Sequence, residues 1–279
     1  MIERDIHMRN KFNEQLLELN KEMIEMGNKI IDSIKMAIAA LESSDTEKAK
    51  MIMEGDAEID RLQKKIENIC FNLLIQQQPV ATDLRNVTAA MKMVTDMERI
   101  GDHAADISEI TILMGQESRV DQFEHIAKMA NETMIMLNHS IEAYVEKDAE
   151  KARRVIEHDD IVDALFDAAK KDVIQLILDD SGEGEEATDL LMIAKYFERI
   201  GDHATNIAEW VIFSLTTSAD SDIEYGKTER ECQGDGESGF HFIFTFPHLH
   251  KCISLFNVNK LICIRMDFKT DFSTRGNCH

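Results

Sequence analysis

Two identical hexapeptides, Glu-Arg-Ile-Gly-Asp-His, stand at Glu98–His103 and Glu198–His203. Each continues in kind, through Ala104, Asp106, Ile107 and Glu109 in the first copy and Ala204, Asn206, Ile207 and Glu209 in the second. Glu98, Asp102 and Asp106 recur every fourth residue, as do Glu198, Asp202 and Asn206, so on a helix each set forms one stripe. Like charges at this spacing repel by about 0.2–0.5 kcal/mol a pair, so the stripe calls for a positive partner, an arginine or a metal ion. Two further acidic pairs with the same spacing lie upstream, Asp56 with Asp60 and Asp159 with Asp163. Carboxylates gathered from facing helices are how helical bundles build multinuclear metal sites, and such oxygen-rich sets suit iron, manganese, magnesium, calcium or zinc. The competing reading is that Arg99, Arg199 and nearby lysines pair with the acids while Gly101 and Gly201 let two helices pack closely. His103 and His203 fall off the stripe, which leaves capping, core and ligating roles open.

The elements that must carry these residues are helices. Only two prolines occur, and Met, Leu, Ile, Ala, Glu and Lys dominate the first 217 residues, the composition of long helices. From about Asp5 to Leu41, Ile6, Phe12, Leu16, Leu19, Met23, Met26, Ile30, Ile34, Ala37 and Leu41 keep helical spacing. Ser44 with Glu47 reads as a capping box that opens a second helix, which runs to about Gln77 before the turn at Pro79. A third helix, about Thr82 to Met114, carries the first hexapeptide. After a polar joint, Phe123, Ile126, Met129, Met134, Leu137, Ile141 and Val145 restart the pattern. Asp45, Glu47, Lys48 and Ala49 then match Asp148, Glu150, Lys151 and Ala152, and the turn between the fifth and sixth helices is placed at Asp179 to Glu186. The expected fold is all-α: two tandem, pseudo-symmetric three-helix bundles of antiparallel helices, residues 5–116 and 119–217, followed by an atypical tail over 218–279.

A formal charge of −22 argues against a nucleic-acid partner and against adhesion to anionic lipid. No apolar run reaches the roughly 18 residues a membrane-spanning helix needs, and Met1–Asn10 is charged with no apolar core, so a cytoplasmic protein is expected. Five cysteines, four of them within the last fifty residues, do not suggest a disulfide framework, and Cys70 reads as an ordinary buried residue. Enzyme readings find little support. Carboxylate-bridged di-iron proteins place a glutamate three residues before a histidine, and no acid stands three before any histidine here. No phosphate-binding lysine loop or nucleophile elbow occurs, and a histidine phosphotransfer module would leave the duplicated acidic stripes unexplained.

The duplicated hexapeptides, the Asn206, Ile207 and Glu209 that follow, the preceding Asp83, Leu84 and Arg85, and the acidic pairs of the second and fifth helices resemble the PhoU family of phosphate-signalling proteins over roughly residues 8 to 217. The resemblance implies a cytoplasmic, non-enzymatic negative regulator that links a phosphate ABC transporter, through its ATPase subunit, to a sensor histidine kinase, and that forms a homodimer. It also implies multinuclear metal clusters, iron foremost with zinc, manganese, magnesium or calcium as alternatives. Carried over, the metal-binding pairs are Asp56 with Asp60, Glu98 with Asp102, Asp159 with Asp163 and Glu198 with Asp202, and the stripe spacing adds Asp106 to the first set and Asn206 to the second. Asp106 against Asn206 departs from strict repetition, so the two clusters are expected to differ in charge or nuclearity.

The tail is unlike the family. Phe240, Phe242, Phe244 and Phe246 alternate as in a strand, a zinc half-site could be read into His248, His250 and Cys252, and a shift of reading frame near the end of the sixth helix would give the same composition. Six helices already bury one another, so the segment is expected to lie outside the fold. A chain ended after Thr217 should keep its helical circular dichroism and its melting temperature; a shortened chain that unfolds would show that the tail packs on the bundles.

Overall fold

Apolar residues at helical spacing set the six elements. The structure is a computed structural model that describes residues 2–76, 81–115, 124–179 and 184–216. The helices are α1 (Ile2–Ser43), α2 (Thr46–Gln76), α3 (Ala81–Met114), α4 (Glu124–Glu146), α5 (Ala149–Asp179) and α6 (Gly184–Leu215), and no strand occurs among the described residues. Phe12, Leu19, Met23, Met26, Ile30, Ile34, Ala37 and Leu41 of α1 are buried, as are Ile126, Met129, Leu137 and Ile141 of α4. Val145, assigned to the α4 stripe from its spacing, is instead exposed near the helix end. Ile6, Phe123 and the whole tail assignment after Thr216 lie outside the residues whose side chains are described.

Within the first three helices, Lys29 reaches Glu58 (2.9 Å) and Lys65 reaches Glu22 (2.7 Å), so residue numbers fall along α1 as they rise along α2. The two helices are antiparallel. α1 packs on α2 and α3, α4 packs on α5 and α6, and the trios meet where α3 lies against α6 and α1 against α4. Gly27 admits the second of these contacts, since a Cβ there would stand 3.0 Å from Ile141 Cγ2. Nearby, the Tyr144 hydroxyl donates to Asn20 Oδ1 at 2.6 Å. Apolar burial holds the assembly together: each fully buried Leu, Ile, Met or Phe contributes about 1.5–3 kcal/mol, whereas an exposed ion pair contributes at most about 1. Cys70 is fully buried, and burial, with Glu67 nearby, pushes its thiol up to about 12, so it is part of the core and not a nucleophile. No described helix is long and apolar enough to cross a membrane.

The α1–α2 joint corrects the capping box. Ser44 has left-handed backbone (φ 51°) and closes α1, with its own N–H on Leu41 O and the Asp45 N–H on Ala40 O. This is the 6→1, 5→2 pattern of a helix C-terminus, and Ser44 is thereby committed to ending α1. Asp45 caps α2 instead, its Oδ1 accepting from Lys48 N at 3.0 Å. The second repeat copies the joint: Lys147 is left-handed (φ 56°), Asp148 N–H bonds Ala143 O, and Asp148 Oδ1 accepts from Lys151 N at 2.9 Å. α6 begins at Gly184, inside the expected turn, so Glu185 and Glu186 occupy its first turn, where negative charge favours the helix dipole.

The backbone bond from Lys48 holds Asp45 below the usual carboxylate range, and Lys151 does the same for Asp148. A depressed folded value stabilises above the unfolded value and loses that effect as pH falls through the folded one. Asp45→Ala and Asp148→Ala should therefore lower the urea midpoint at pH 7, and the difference from wild type should vanish at pH 2. A gap that persists at pH 2 would remove the caps as its cause.

Candidate metal-binding stripes and the seam between repeats

In the first bundle the acids of α2 and α3 are brought face to face. Gly101 makes this possible: a Cβ built on it would lie 3.0 Å from Ile59 Cδ1 and 3.5 Å from Asp56 Oδ1, so the Asp56 carboxylate rests against bare backbone of α3. Asp56 is raised above the usual range by burial first, then by Asp102, Asp60 and Asp106. Glu98 is raised by burial and then by Asp102, Asp60 and Asp56, with Arg99 pulling the other way. The sequence-derived set of Asp56, Asp60, Glu98, Asp102 and Asp106 thus shares one field. Arg99 answers part of it, with Nη1 2.9 Å from Asp102 Oδ2 and Nε 3.5 Å from Glu98 Oε2. The second contact is an ion pair and not a hydrogen bond, and Glu98 Oε2 is buried with no hydrogen-bond donor. Lys64 lies 3.9 Å from Asp60.

The second bundle repeats the approach. A Cβ on Gly201 would lie 3.5 Å from Asp159 Oδ1 and 3.5 Å from Val162 Cγ1, and Asp159 is buried. Asp163 and Asp202 are half-buried. Lys195 is bonded to Glu198, and its Nζ also stands 5.3 Å over the Phe166 ring. Among the described residues, no three His, Cys, Asp or Glu side chains converge to hold an ion as they stand. Of the cations in the competing sequence reading, Arg99 pairs with the acids of its own stripe, and a nearby lysine, Lys195, is bonded to Glu198 of the second.

Asn206 has a different place. With His203 it reaches across to α3, where both meet Asp96: the Asn206 amide donates to Asp96 Oδ1 at 3.0 Å, and His203 Nδ1 lies 2.8 Å from the same oxygen. On the other side of this seam His103 is buried, with Nδ1 3.2 Å from Asp106, and its ring lies 5.4 Å from Tyr196 and 5.7 Å from His203. Burial lowers the His103 value, an effect that His203 and Arg199 reinforce and Asp106 opposes. The hexapeptide histidines therefore join the repeats. Asp96 and Tyr196 went unmarked in the sequence, although Asp96 stands two helical turns before His103 and Asn206 one turn after His203, spacings that put them on the histidine faces. Farther along, Arg85 fixes the end of α6 by donating to Phe213 O at 3.1 and 3.2 Å and lying 4.4 Å over its ring.

A duplicated three-helix unit, each copy setting paired acids of two helices against a glycine, defines a class of tandem-repeat helical proteins with carboxylate-lined interhelical faces. Residues 23–111 and 126–211 match the family model described as PhoU domain, and the chain belongs to that family. It is 38% identical over 206 residues to the phosphate-specific transport system accessory protein PhoU homolog of Clostridium acetobutylicum, covering 74% of this chain and 94% of that one. A homolog of the same description from Caulobacter vibrioides is 33% identical over 211 residues, 75% of this chain and 92% of that one. The fold is similar to the crystal structure of PhoU from Pseudomonas aeruginosa, with a TM-score of 0.71 and 28% identity over 73% of this chain and 98% of that one. It is also similar to the phosphate transport system regulatory protein PhoU from Streptococcus pneumoniae, with a TM-score of 0.69 and 29% identity over 74% and 97%.

Asp96→Ala removes the shared acceptor of His203 and Asn206 from a seam where the aspartate side chain is only 15% exposed. Leaving those donors unanswered should cost about 1–3 kcal/mol in urea unfolding. A loss below a few tenths would show that the apolar contacts of α3 and α6 alone hold the seam.

Proposed function

We propose that this chain is a cytoplasmic regulator of phosphate uptake and signalling that acts by binding: it contacts the ATPase subunit of a phosphate ABC transporter and a sensor histidine kinase, represses the phosphate-starvation response, and works as a homodimer. The observation that carries the reading is the match of both halves to the PhoU domain, with relatives described as accessory and regulatory proteins of phosphate transport. The absence from the sequence of a nucleophile set beside a base agrees with action by contact and not by turnover.

Metal belongs to the same proposal. The donor set fits a hard or intermediate cation, being all carboxylate, and the buried Glu98 Oε2 lacks a hydrogen-bond donor that a cation would replace. Asp56, Asp60, Glu98, Asp102 and Asp106 would hold it in the first bundle, and Asp159, Asp163, Glu198 and Asp202 in the second. Asn206, named with them from its spacing, donates to Asp96 from its amide nitrogen, and its Oδ1 is the atom that would join the second set. A bound cation supplies positive charge that offsets carboxylate repulsion across each helix pair. The residues themselves hold α2 to α3 and α5 to α6 in either state, through the glycine contacts. Iron is the first candidate, with zinc, manganese, magnesium or calcium as alternatives.

Elemental analysis of protein purified without added metal should find metal in both bundles, and Asp102→Ala with Asp202→Ala should remove it; full metal content in the double variant would leave only ion pairs. Because Asp56 and Glu98 are raised, protons should displace metal at a higher pH than from ordinary carboxylates. In the metal-free protein the same shift stabilises as pH falls from neutral through the raised values, since the folded state then binds more protons than the unfolded one. Capture from cells should recover a transporter ATPase subunit or a sensor kinase. Phosphatase or oxidase turnover lost on Glu98→Gln would overturn the non-enzymatic reading.

A further inference from the structure

Exposed apolar side chains gather at the ends of α2 and α5, in matching places. Phe71, Leu74 and Ile75 of α2 correspond to Ile174, Ile177 and Leu178 of α5 at the 103-residue offset that relates Asp45 to Asp148. Within each trio the spacing is i, i+3 and i+4, so its members share one helix face. Ile174, Ile177 and Leu178 are 51%, 44% and 74% exposed; Phe71 and Ile75 are exposed too, while Leu74 is partly buried against the core. A single exposed apolar residue needs no explanation, whereas a cluster at one helix end that recurs in the repeat mate marks a contact surface.

Charge separates the two ends. α6, which follows the second trio, opens with Glu185, Glu186 and Asp189 and has no lysine or arginine before Lys195. Asp189 is raised above the usual carboxylate range by burial and then by Glu185 and Glu186, so these acids share one field. Asp179 adds a carboxylate one position past Leu178. Lys170 and Lys171, one turn back from Ile174, have Asp167 beside them, held low by the Lys170 bond first and then by Lys171. α3 runs opposite to α6, its Arg85 meeting Phe213 and its His103 meeting Tyr196, and so brings exposed Leu113 to this same end. The helix after the first trio opens differently, with one acid and one base: Asp83 is buried and Arg85 is bonded to Phe213 O.

We propose that the α5 end is a docking surface for a cationic amphipathic helix of a partner protein, whose apolar side chains cover Ile174, Ile177 and Leu178 while its lysines or arginines meet the acids at the start of α6. The inference rests on the reading that the chain acts by binding. A second copy of the chain fits this surface poorly, because a symmetric contact would set the same acids against each other. An anionic lipid surface is repelled for the same reason.

The test follows the fluorescence anisotropy of an amphipathic peptide of leucine and lysine, about five helical turns long, on the full chain, with a leucine and glutamate peptide of the same pattern beside it. The lysine peptide should bind and the glutamate peptide should not. Ile174→Gln with Leu178→Gln leaves the charge unchanged and should weaken binding about tenfold or more, the effect of losing two covered apolar side chains. Glu185→Gln with Asp189→Asn should weaken it about three- to tenfold and flatten its dependence on salt. Phe71→Gln with Ile75→Gln, and Ile161→Gln elsewhere on α5, should stay within about twofold of wild type. Equal losses at both helix ends, or equal binding of the two peptides, would overturn the inference. Sedimentation checks the other occupant: a dimer that falls apart in Ile174→Gln with Leu178→Gln would assign the surface to a second copy and overturn it as well. Wild type that ignores the lysine peptide would also overturn it, and capture of a transporter or kinase subunit would then leave the wider reading standing.

Discussion

Carboxylates set between two helices repel one another, and the remaining structure is arranged so that they can stay there. Asp56 faces Asp60, Asp102 and Asp106 from a partly buried position, and its raised value is the electrostatic record of that crowding. The cost per pair is a few tenths of a kcal/mol, small beside the apolar residues packed directly behind the stripes, among them Ile59, Met97, Ile100 and Ala104 in the first bundle and Val162, Phe197, Ile200 and Ala204 in the second. The core can carry the strain because each acidic face is only one side of a helix whose opposite side is fully buried. Gly101 sets how near the acids of the first bundle come, since a Cβ there would crowd Ile59 at 3.0 Å, whereas at Gly201 it would meet Asp159 and Val162 at ordinary contact distances of 3.5 Å.

Other charges are spent on positioning. Lys29 and Lys65 fasten α1 to α2, while in the second bundle the corresponding helices are joined by His125 to Asp172 and His158 to Glu132. The Glu22 carboxylate is buried beneath Lys65, and Glu58 is half-exposed. The acidic pairs of α2 and α5 therefore approach α3 and α6 from helices already fixed in rotation about their own axes.

The six helices, their order and most of their core were legible because apolar spacing and the 103-residue correspondence of Asp45 with Asp148 speak to backbone and burial, which are local properties of the chain. Three features were not. Ser44 looked like a helix start because a serine followed by Glu47 satisfies the pattern, yet the preceding helix claimed it in left-handed conformation and passed the cap to Asp45. Val145 kept its place in the α4 spacing, but nothing covers it there. Asn206 stood in line with Glu198 and Asp202, and its actual partner, Asp96, lies on another helix, 110 residues earlier. Spacing along a helix states which residues share a face; it does not state what that face meets. The acids of the stripes were found because their partners lay on faces with the same signature, and the seam was missed because Asp96 and Tyr196 break the repeat.

That break has a consequence for how the two halves can differ. In a symmetric dimer of three-helix chains, a substitution on the axis appears twice, and an aspartate introduced to receive one histidine would face its own copy across the interface. Joining the copies in one polypeptide lifts this restriction. Here the first half supplies an acceptor at Asp96 and the second supplies donors at His203 and Asn206, while the mirror position holds Tyr196 against His103. The axis has become a directed junction: two copies of the second half would set tyrosine against histidine and asparagine, and two copies of the first would set the aspartate against a histidine that already has Asp106, so each half carries an address that only the other can read.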